Sequence, residues 1–184
     1  VSDHGPLDAD VDHSPRVRAA GPGDAAALDR LAALVRAHAA GERGGDVLLA
    51  SDPERFEAPQ ATASSPEAFD AAGTLVLVGC LGDVPVGYAA VRAVPASGGP
   101  QAEVVALFVE PGARGVGVGR LLIGAATEWA RRQGCRGIGS VALPGDRATK
   151  NFFEAAGMVA RLISVHRPLD DPARADTPPA AGHG

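Results

Sequence analysis

Residues 104–122, VVALFVEPGARGVGVGRLL, constrain the fold more than any other stretch: an apolar run, a turn, three glycines on alternate positions and an apolar helical pattern follow one another without a gap. Residues 104–109 are β-branched and aromatic, as a buried strand requires. Pro111-Gly112 ends that strand, because proline removes a ladder donor and glycine takes backbone angles other residues avoid. Gly115, Gly117 and Gly119 leave main chain without side chains, so its N–H groups approach an anion closely. From about Val118 a helix begins, whose unpaired N-terminal amides and positive dipole end favour negative charge. The stretch reads as strand, phosphate-binding loop and helix.

Two glycine-rich loop chemistries fail on residues they require. A nucleotide triphosphatase loop needs Lys followed by Ser or Thr, whereas Gly119 is followed by Arg120-Leu121. The dinucleotide fingerprint needs G-x-G-x-x-G, but Gly115 and Gly117 meet Arg120 at the third glycine position, and Gly117 and Gly119 meet Leu122. It also wants an acid at the end of the next strand, and the candidate strand 137–142 ends without one.

Arg114-Gly115-Val116-Gly117-Val118-Gly119 matches R-x-x-G-x-G. With the strand before it and the helix after it, the chain resembles the GNAT superfamily of N-acetyltransferases. The resemblance implies an α/β (α+β) single-domain fold: a mixed, mostly antiparallel central sheet flanked by helices, with splayed central strands. It also implies acetyl-CoA as acyl donor, its pyrophosphate held by Arg114, Gly115, Val116, Gly117, Val118, Gly119 and Arg120. Phe108 and Val109 then touch the pantetheine arm, and Phe153 lies beside the cofactor.

At 184 residues and 46% hydrophobic content the chain supports one substantial core. A net charge of −5 argues against a nucleic-acid surface, which needs clustered Lys and Arg. The acidic N-terminus lacks a signal-peptide pattern, and no apolar stretch approaches the ~18 residues of a membrane span. A cytoplasmic location, without membrane or nucleic-acid partners, is expected. Cys80 and Cys135 lack metal-ligand spacing and read as buried free thiols, and the five histidines are scattered, so no metal site is expected.

Residues 1–15 and 169–184 lack apolar periodicity and are expected to be disordered, which leaves a domain at 16–168. Within it a strand is expected at 16–19. A helix should follow from an Asp24 N-cap, with Leu28, Leu31, Val35 and His38 at helical spacing and Gly41 as terminator. His38 reads as an edge residue of that helix. Residues 42–72 read as loop with a short helix near 66–71. Strands 74–80 and 86–94 flank Gly82-Asp83 as a hairpin, and 101–109 completes a meander. The helix after the glycine loop should bury Leu121, Leu122, Ala125 and Trp129 and end on Arg131-Arg132 before Gly134. A strand at 137–142, a helix at 146–156 and a strand at 159–166 complete the set. Tyr88, in the hairpin strand, reads as a packing residue.

The resemblance implies direct attack by the amine in a ternary complex, so no acyl-enzyme nucleophile is needed. A backbone N–H near Phe108 and Val109 polarises the thioester carbonyl. Glu103, at the start of the central strand where many family members carry a glutamate, is the candidate base; strict alternation puts it on one face with Val105, Leu107 and Val109. The family's acidic tyrosine falls on Phe153, which donates no proton, and the family's asparagine falls on Asp146, read as a helix cap. Two functions follow: an N-acetyltransferase for a small-molecule or protein amine, or a catalytically weak acyl-CoA-binding or regulatory domain. Within 42–72, Glu42, Asp46, Asp52, Glu54, Glu57, Glu67 and Asp70 oppose Arg43 and Arg55, so seven minus two leaves five excess acids. Such a surface steers a cationic acceptor. A homodimer is left open.

Overall fold

The hairpin turn at Gly82-Asp83 joins β2 (Thr74–Leu81) to β3 (Val84–Val94), and β4 (Gln101–Val109) returns beside β3 as the third strand of an antiparallel meander. The computed structural model describes residues 13–59 and 74–167. The helix expected near 66–71 and the expected disordered ends, apart from residues 13–15, lie outside them. β1 (Pro15–Ala19) pairs antiparallel with β2, and β5 (Ile138–Gly139) pairs parallel with β4, so the sheet runs β1-β2-β3-β4-β5.

Each face of this sheet carries its own helix. α1 (Ala25–Gly41) lays Leu28 and Leu31 on Val76, Val78, Tyr88, Ala90, Ala106 and Phe108. α3 (Val118–Arg132) buries Val118, Leu122, Ile123, Ala126, Trp129 and Ala130 on the other face. Fully burying one such side chain stabilises by about 1.5–3 kcal/mol. Leu121 is a correction: it is 42% exposed, because it sits one helical step away from the stripe through Leu122, Ala126 and Trp129.

The capping residue of α1 also behaves differently from expectation. Asp24 precedes the helix, but its carboxylate turns back to accept from the Gly21 amide at 2.8 Å and from the Arg18 guanidinium at 2.6 and 2.7 Å. The Arg18 hydrogen bonds outweigh burial and hold Asp24 below the usual carboxylate range.

Three further differences bear on the site. Residues 45–51 are helical, as α2 (Gly45–Ser51), and Pro53–Phe56 forms a 3-10 turn where loop was expected. The signal was short: Val47, Leu48 and Leu49 are one apolar turn, stopped by Pro53. β5 keeps only two of the six residues expected of it. The strand expected at 159–166 does not form; Leu162, Ile163 and Val165 are 89%, 85% and 91% exposed. Apolar β-branched sequence makes a strand only beside an edge long enough to pair with, and β5 offers two residues.

Tyr88 is fully buried against α1, as packing requires, and its hydroxyl has no hydrogen-bond partner among the described residues. Burial pushes its pKa up to about 12. An unsatisfied buried hydroxyl costs about 1–3 kcal/mol, so Tyr88→Phe is expected to leave the melting temperature unchanged or raise it by a few degrees. A fall of more than ~5 °C in a thermal melt would show that the hydroxyl does satisfy a partner.

Candidate active site

The cross-strand register of β4 breaks in the middle of the strand. Ala90 faces Ala106, but Val91 faces Val104, so Val105 is an extra residue in β4. Such a bulge bends its strand and switches which face the following residues occupy. Ala102 and Val104 face α3 before it, and Leu107 and Val109 face α3 after it. Ala106 and Phe108 face α1. Glu103 therefore lies on the α1 face, and the strict alternation that placed it with Leu107 and Val109 is corrected.

The bend coincides with the parting of two strands. β4 and β5 pair only at Ala102↔Ile138 and Glu103↔Gly139. Beyond that point Val105 to Val109 line one side of a cavity of about 640 Å³, and Ser140, Val141, Ala142 and Leu143 line the other. Carbonyls freed by the parting find side-chain donors: Ser140 Oγ donates to Val104 O at 2.9 Å, and Arg55 Nη1 donates to Val105 O at 2.8 Å. These bonds hold the cleft open without stranding polar groups.

One end of the cavity is the glycine loop. A 3-10 turn, Pro111–Ala113, follows β4, and Gly115 and Gly117 then adopt φ of 84° and 102°, values that side chains resist. Gly117 is the N-cap of α3, and the Leu121 amide makes the first turn's bond to Gly117 O at 3.1 Å. The amides of Val118, Gly119 and Arg120 precede that bond and have no intrahelical acceptor. Gly119 lies under the Phe152 ring, where an added Cβ would stand 3.1 Å from ring carbon Cε2.

The motif side chains divide their work. Arg114 Nε donates to Val109 O at 3.0 Å and its guanidinium stacks 5.8 Å from the Phe108 ring centre, pinning the loop to the end of β4. Arg114, Gly115, Gly117, Gly119 and Arg120 line the cavity, as do Phe108 and Val109. Val118 instead points into the core, and Val116 is half exposed. Phe153 lines the cavity beside Phe152, the rings 5.5 Å apart and edge to face. Phe152 was missed in the sequence reading, although it adjoins Phe153 on the same amphipathic helix, α4 (Arg147–Ala155).

Glu103 does not line the cavity. One carboxylate oxygen is bonded to Arg55 Nη2, and the other takes Arg92 Nε and Nη2 at 2.9 and 2.8 Å. Arg55, only 7% exposed, also bonds Asp52 at 3.0 Å, so the cluster ties the 3-10 turn at Pro53–Phe56 to the sheet. Asp146 does cap α4, its Oδ1 accepting from the Thr149 amide at 2.9 Å. Oδ2 accepts from Thr149 Oγ1 at 2.5 Å and meets His38 Nε2 at 3.1 Å. Burial pushes Asp146 upward, but the Thr149 and His38 hydrogen bonds outweigh it and leave the carboxyl below its ordinary value. Cys80 and Cys135 are free thiols and neither lines the cavity.

A bent central strand, a cleft opened beside it and a bare helix N-terminus at the cleft's end form one continuous site. The family model described as acetyltransferase, GNAT family, matches residues 46–158, more than half of the chain. The chain belongs to the GNAT family. Acetyl transfer is the general reaction of that family. No curated protein matches the sequence closely enough to count as a relative.

Solved structures share the GNAT fold over most of this chain. An acetyltransferase of Trypanosoma brucei is 21% identical, with a TM-score of 0.58, over 85% of this chain and 100% of its own. A protein described as a transcriptional regulator from Bacillus halodurans C-125 is 20% identical, with a TM-score of 0.57, over 84% and 99%. An aminoglycoside acetyltransferase from an uncultured soil metagenomic sample, solved with sisomicin, is 16% identical, with a TM-score of 0.59, over 86% and 97%. At these identities the likeness concerns fold. Among the described residues no cluster of His, Cys, Asp or Glu is arranged to hold a metal, and no helix is long and apolar enough to cross a membrane.

Proposed function

We propose that this GNAT protein transfers the acetyl group of acetyl-CoA to a primary amine, on a small molecule or a protein, by direct attack in a ternary complex. The observation that carries the reading is the cleft opened beside the Val105 bulge, which leads to the unpaired amides at the start of α3. Its chemistry fits the donor: a mainly apolar cavity for pantetheine and an anion site for pyrophosphate. Arg120 lines that end of the cavity and forms no ion pair with the described residues, so its charge is available to the phosphates. The backbone of Phe108 and Val109 lends groups to the pantetheine arm, and Phe152 and Phe153 wall the slot against water.

Acetyl-CoA supplies an activated thioester, and the chain's part is to place it, admit the amine and handle protons. No acyl-enzyme is invoked, since neither cysteine reaches the cavity and the Ser140 hydroxyl is committed to Val104 O. Phe153 donates no proton, but a thiol with pKa near 8.5 is a tolerable leaving group as its anion. Asp46, Glu54 and Glu57 are exposed and stand close in the chain to the lining residues Leu48, Arg55 and Phe56, which favours a cationic acceptor, in keeping with the sisomicin held by one structural neighbour. A cytoplasmic location gives access to acetyl-CoA.

The second reading, an acyl-CoA-binding or regulatory domain of weak activity, draws on Phe153. A thermal melt with acetyl-CoA and a thiol-release assay with spermidine, sisomicin and a lysine-containing peptide separate the two. Saturation at about 100 times Kd adds about 2.7 kcal/mol, a rise of about 5–10 °C for a domain of this size. Stabilisation with amine-dependent thiol release is expected. Stabilisation without release from any amine would favour the binding domain, and no stabilisation would remove the acetyl-CoA reading.

A further inference from the structure

We infer that His38 and Asp146 are the proton-transfer pair of this site, His38 taking the proton from the attacking nitrogen and Asp146 fixing its tautomer and orientation. The inference rests on the acetyl-transfer reading above. It starts from a contact that the sequence separates by 108 positions: His38 Nε2 lies 3.1 Å from Asp146 Oδ2. α1 covers one face of the sheet, and α4 packs Phe153 into the cluster on the other. The pair thus meets across the edge where β4 and β5 part, and both residues line the cavity.

Elimination within the cavity points the same way. Among the described residues, the lining side chains that titrate are His38, Asp146 and the arginines 55, 114 and 120, and arginine stays protonated at any working pH. Glu103 is outside the lining with both oxygens bound to guanidinium groups, and Tyr88 is buried on the α1 face. Among the described residues, His38 is the remaining group suited to general base catalysis. Its side chain is 41% exposed, so an amine entering from solvent reaches it, whereas Asp146 is 11% exposed and held by Thr149.

The carboxylate decides which ring nitrogen works. An ionised Asp146 only accepts, so Nε2 carries the hydrogen in that bond and Nδ1 keeps its lone pair. A carboxylate behind a catalytic histidine serves this purpose in other acyl-transfer enzymes. As the N–C bond forms and the C–S bond breaks, the nitrogen proton passes to Nδ1 and the sulfur leaves as thiolate. The imidazolium then returns that proton to the thiolate, which gives the amide and the free thiol with no net change in protons. No tyrosine is needed at position 153.

Asp146 at the start of α4 is the charged group bonded to His38, Arg55 shares the cavity wall with it, and Glu42 and Arg43 follow in the chain just beyond α1. Glu42 approaches Gly145, where an added Cβ would meet its carboxylate at 2.6 Å. Arg55 is committed to Asp52 and Glu103. His38 itself lies in the last turn of α1.

The test compares wild type, His38→Gln and Asp146→Asn in the thiol-release assay with spermidine, sisomicin and the lysine-containing peptide across pH. His38→Gln is expected to lower kcat by about 10²–10⁴-fold, to remove the ascending limb of the pH profile and to keep the acetyl-CoA thermal shift. Asp146→Asn preserves a cap for α4 but offers Nε2 an amide donor; it is expected to lower kcat at least tenfold and displace that limb, with a melting temperature that falls by no more than a few degrees because the charged form's bonds to Thr149 and His38 are weakened. Wild-type turnover with His38→Gln within threefold and the same pH profile would overturn the inference alone. Absence of thiol release from the wild type would overturn it together with the transfer reading.

Discussion

Gly117→Val is expected to weaken acetyl-CoA binding by roughly 5- to 150-fold while the sheet stays folded. Gly117 holds φ of 102° at the N-cap of α3, and a β-branched residue there costs about 1–3 kcal/mol of backbone strain. The loop escapes that strain by rotating the peptide out of the left-handed region, which turns away the amides that face the anion. The rotation sits at the surface end of α3, whereas the helix is anchored by Leu122, Ala126 and Trp129. The binding loss should therefore exceed the loss in melting temperature. Gly112→Ala is the matched control, since Gly112 has no positive φ and its added Cβ meets nothing within 4 Å. Isothermal titration with acetyl-CoA reads both variants. Equal, wild-type affinity in both would mean that the start of α3 does not carry the anion.

That loop was legible in the sequence because left-handed backbone needs glycine, and glycine is visible as a letter. The meander was legible for a similar reason: β-branched runs, a Gly-Asp turn and the proline at 111 are local signals, and β4 occupies the expected residues 101–109. The Val105 bulge was not legible, because an extra residue in a ladder is a property of two strands taken together. Assuming strict alternation put Glu103 on the wrong face. The His38–Asp146 contact was hidden for a related reason, since each residue has an adequate local explanation, one as a helix edge and the other as a cap. Residues 159–166 show the opposite failure: their composition is that of a strand, but strand formation depends on a neighbouring edge that β5 does not supply.

Glu103→Ala is expected to damage stability before it damages chemistry. Arg55 is 7% exposed and divides its guanidinium among Asp52, Glu103 and the carbonyls of Val104 and Val105. Removing the Glu103 carboxylate leaves that cation with one acid, and leaves Arg92 without the partner it faces across the strands. Breaking a buried ion pair from one side costs about 3–5 kcal/mol. Glu103 keeps 25% of its side chain exposed, so roughly 2–4 kcal/mol is the fitting range, or about 4–16 °C in melting temperature. Because Arg55 braces the carbonyls at the mouth of the cleft, acetyl-CoA affinity should fall with stability. Glu103→Gln keeps two hydrogen-bond acceptor sites on its carbonyl and should lose about half as much. A general base would give a different pattern: normal melting and binding with kcat down by about 10²–10⁴-fold. If Glu103→Gln shows that pattern, proton transfer belongs to Glu103, and the Arg55–Glu103–Arg92 cluster tunes a base as well as holding the 3-10 turn against the sheet.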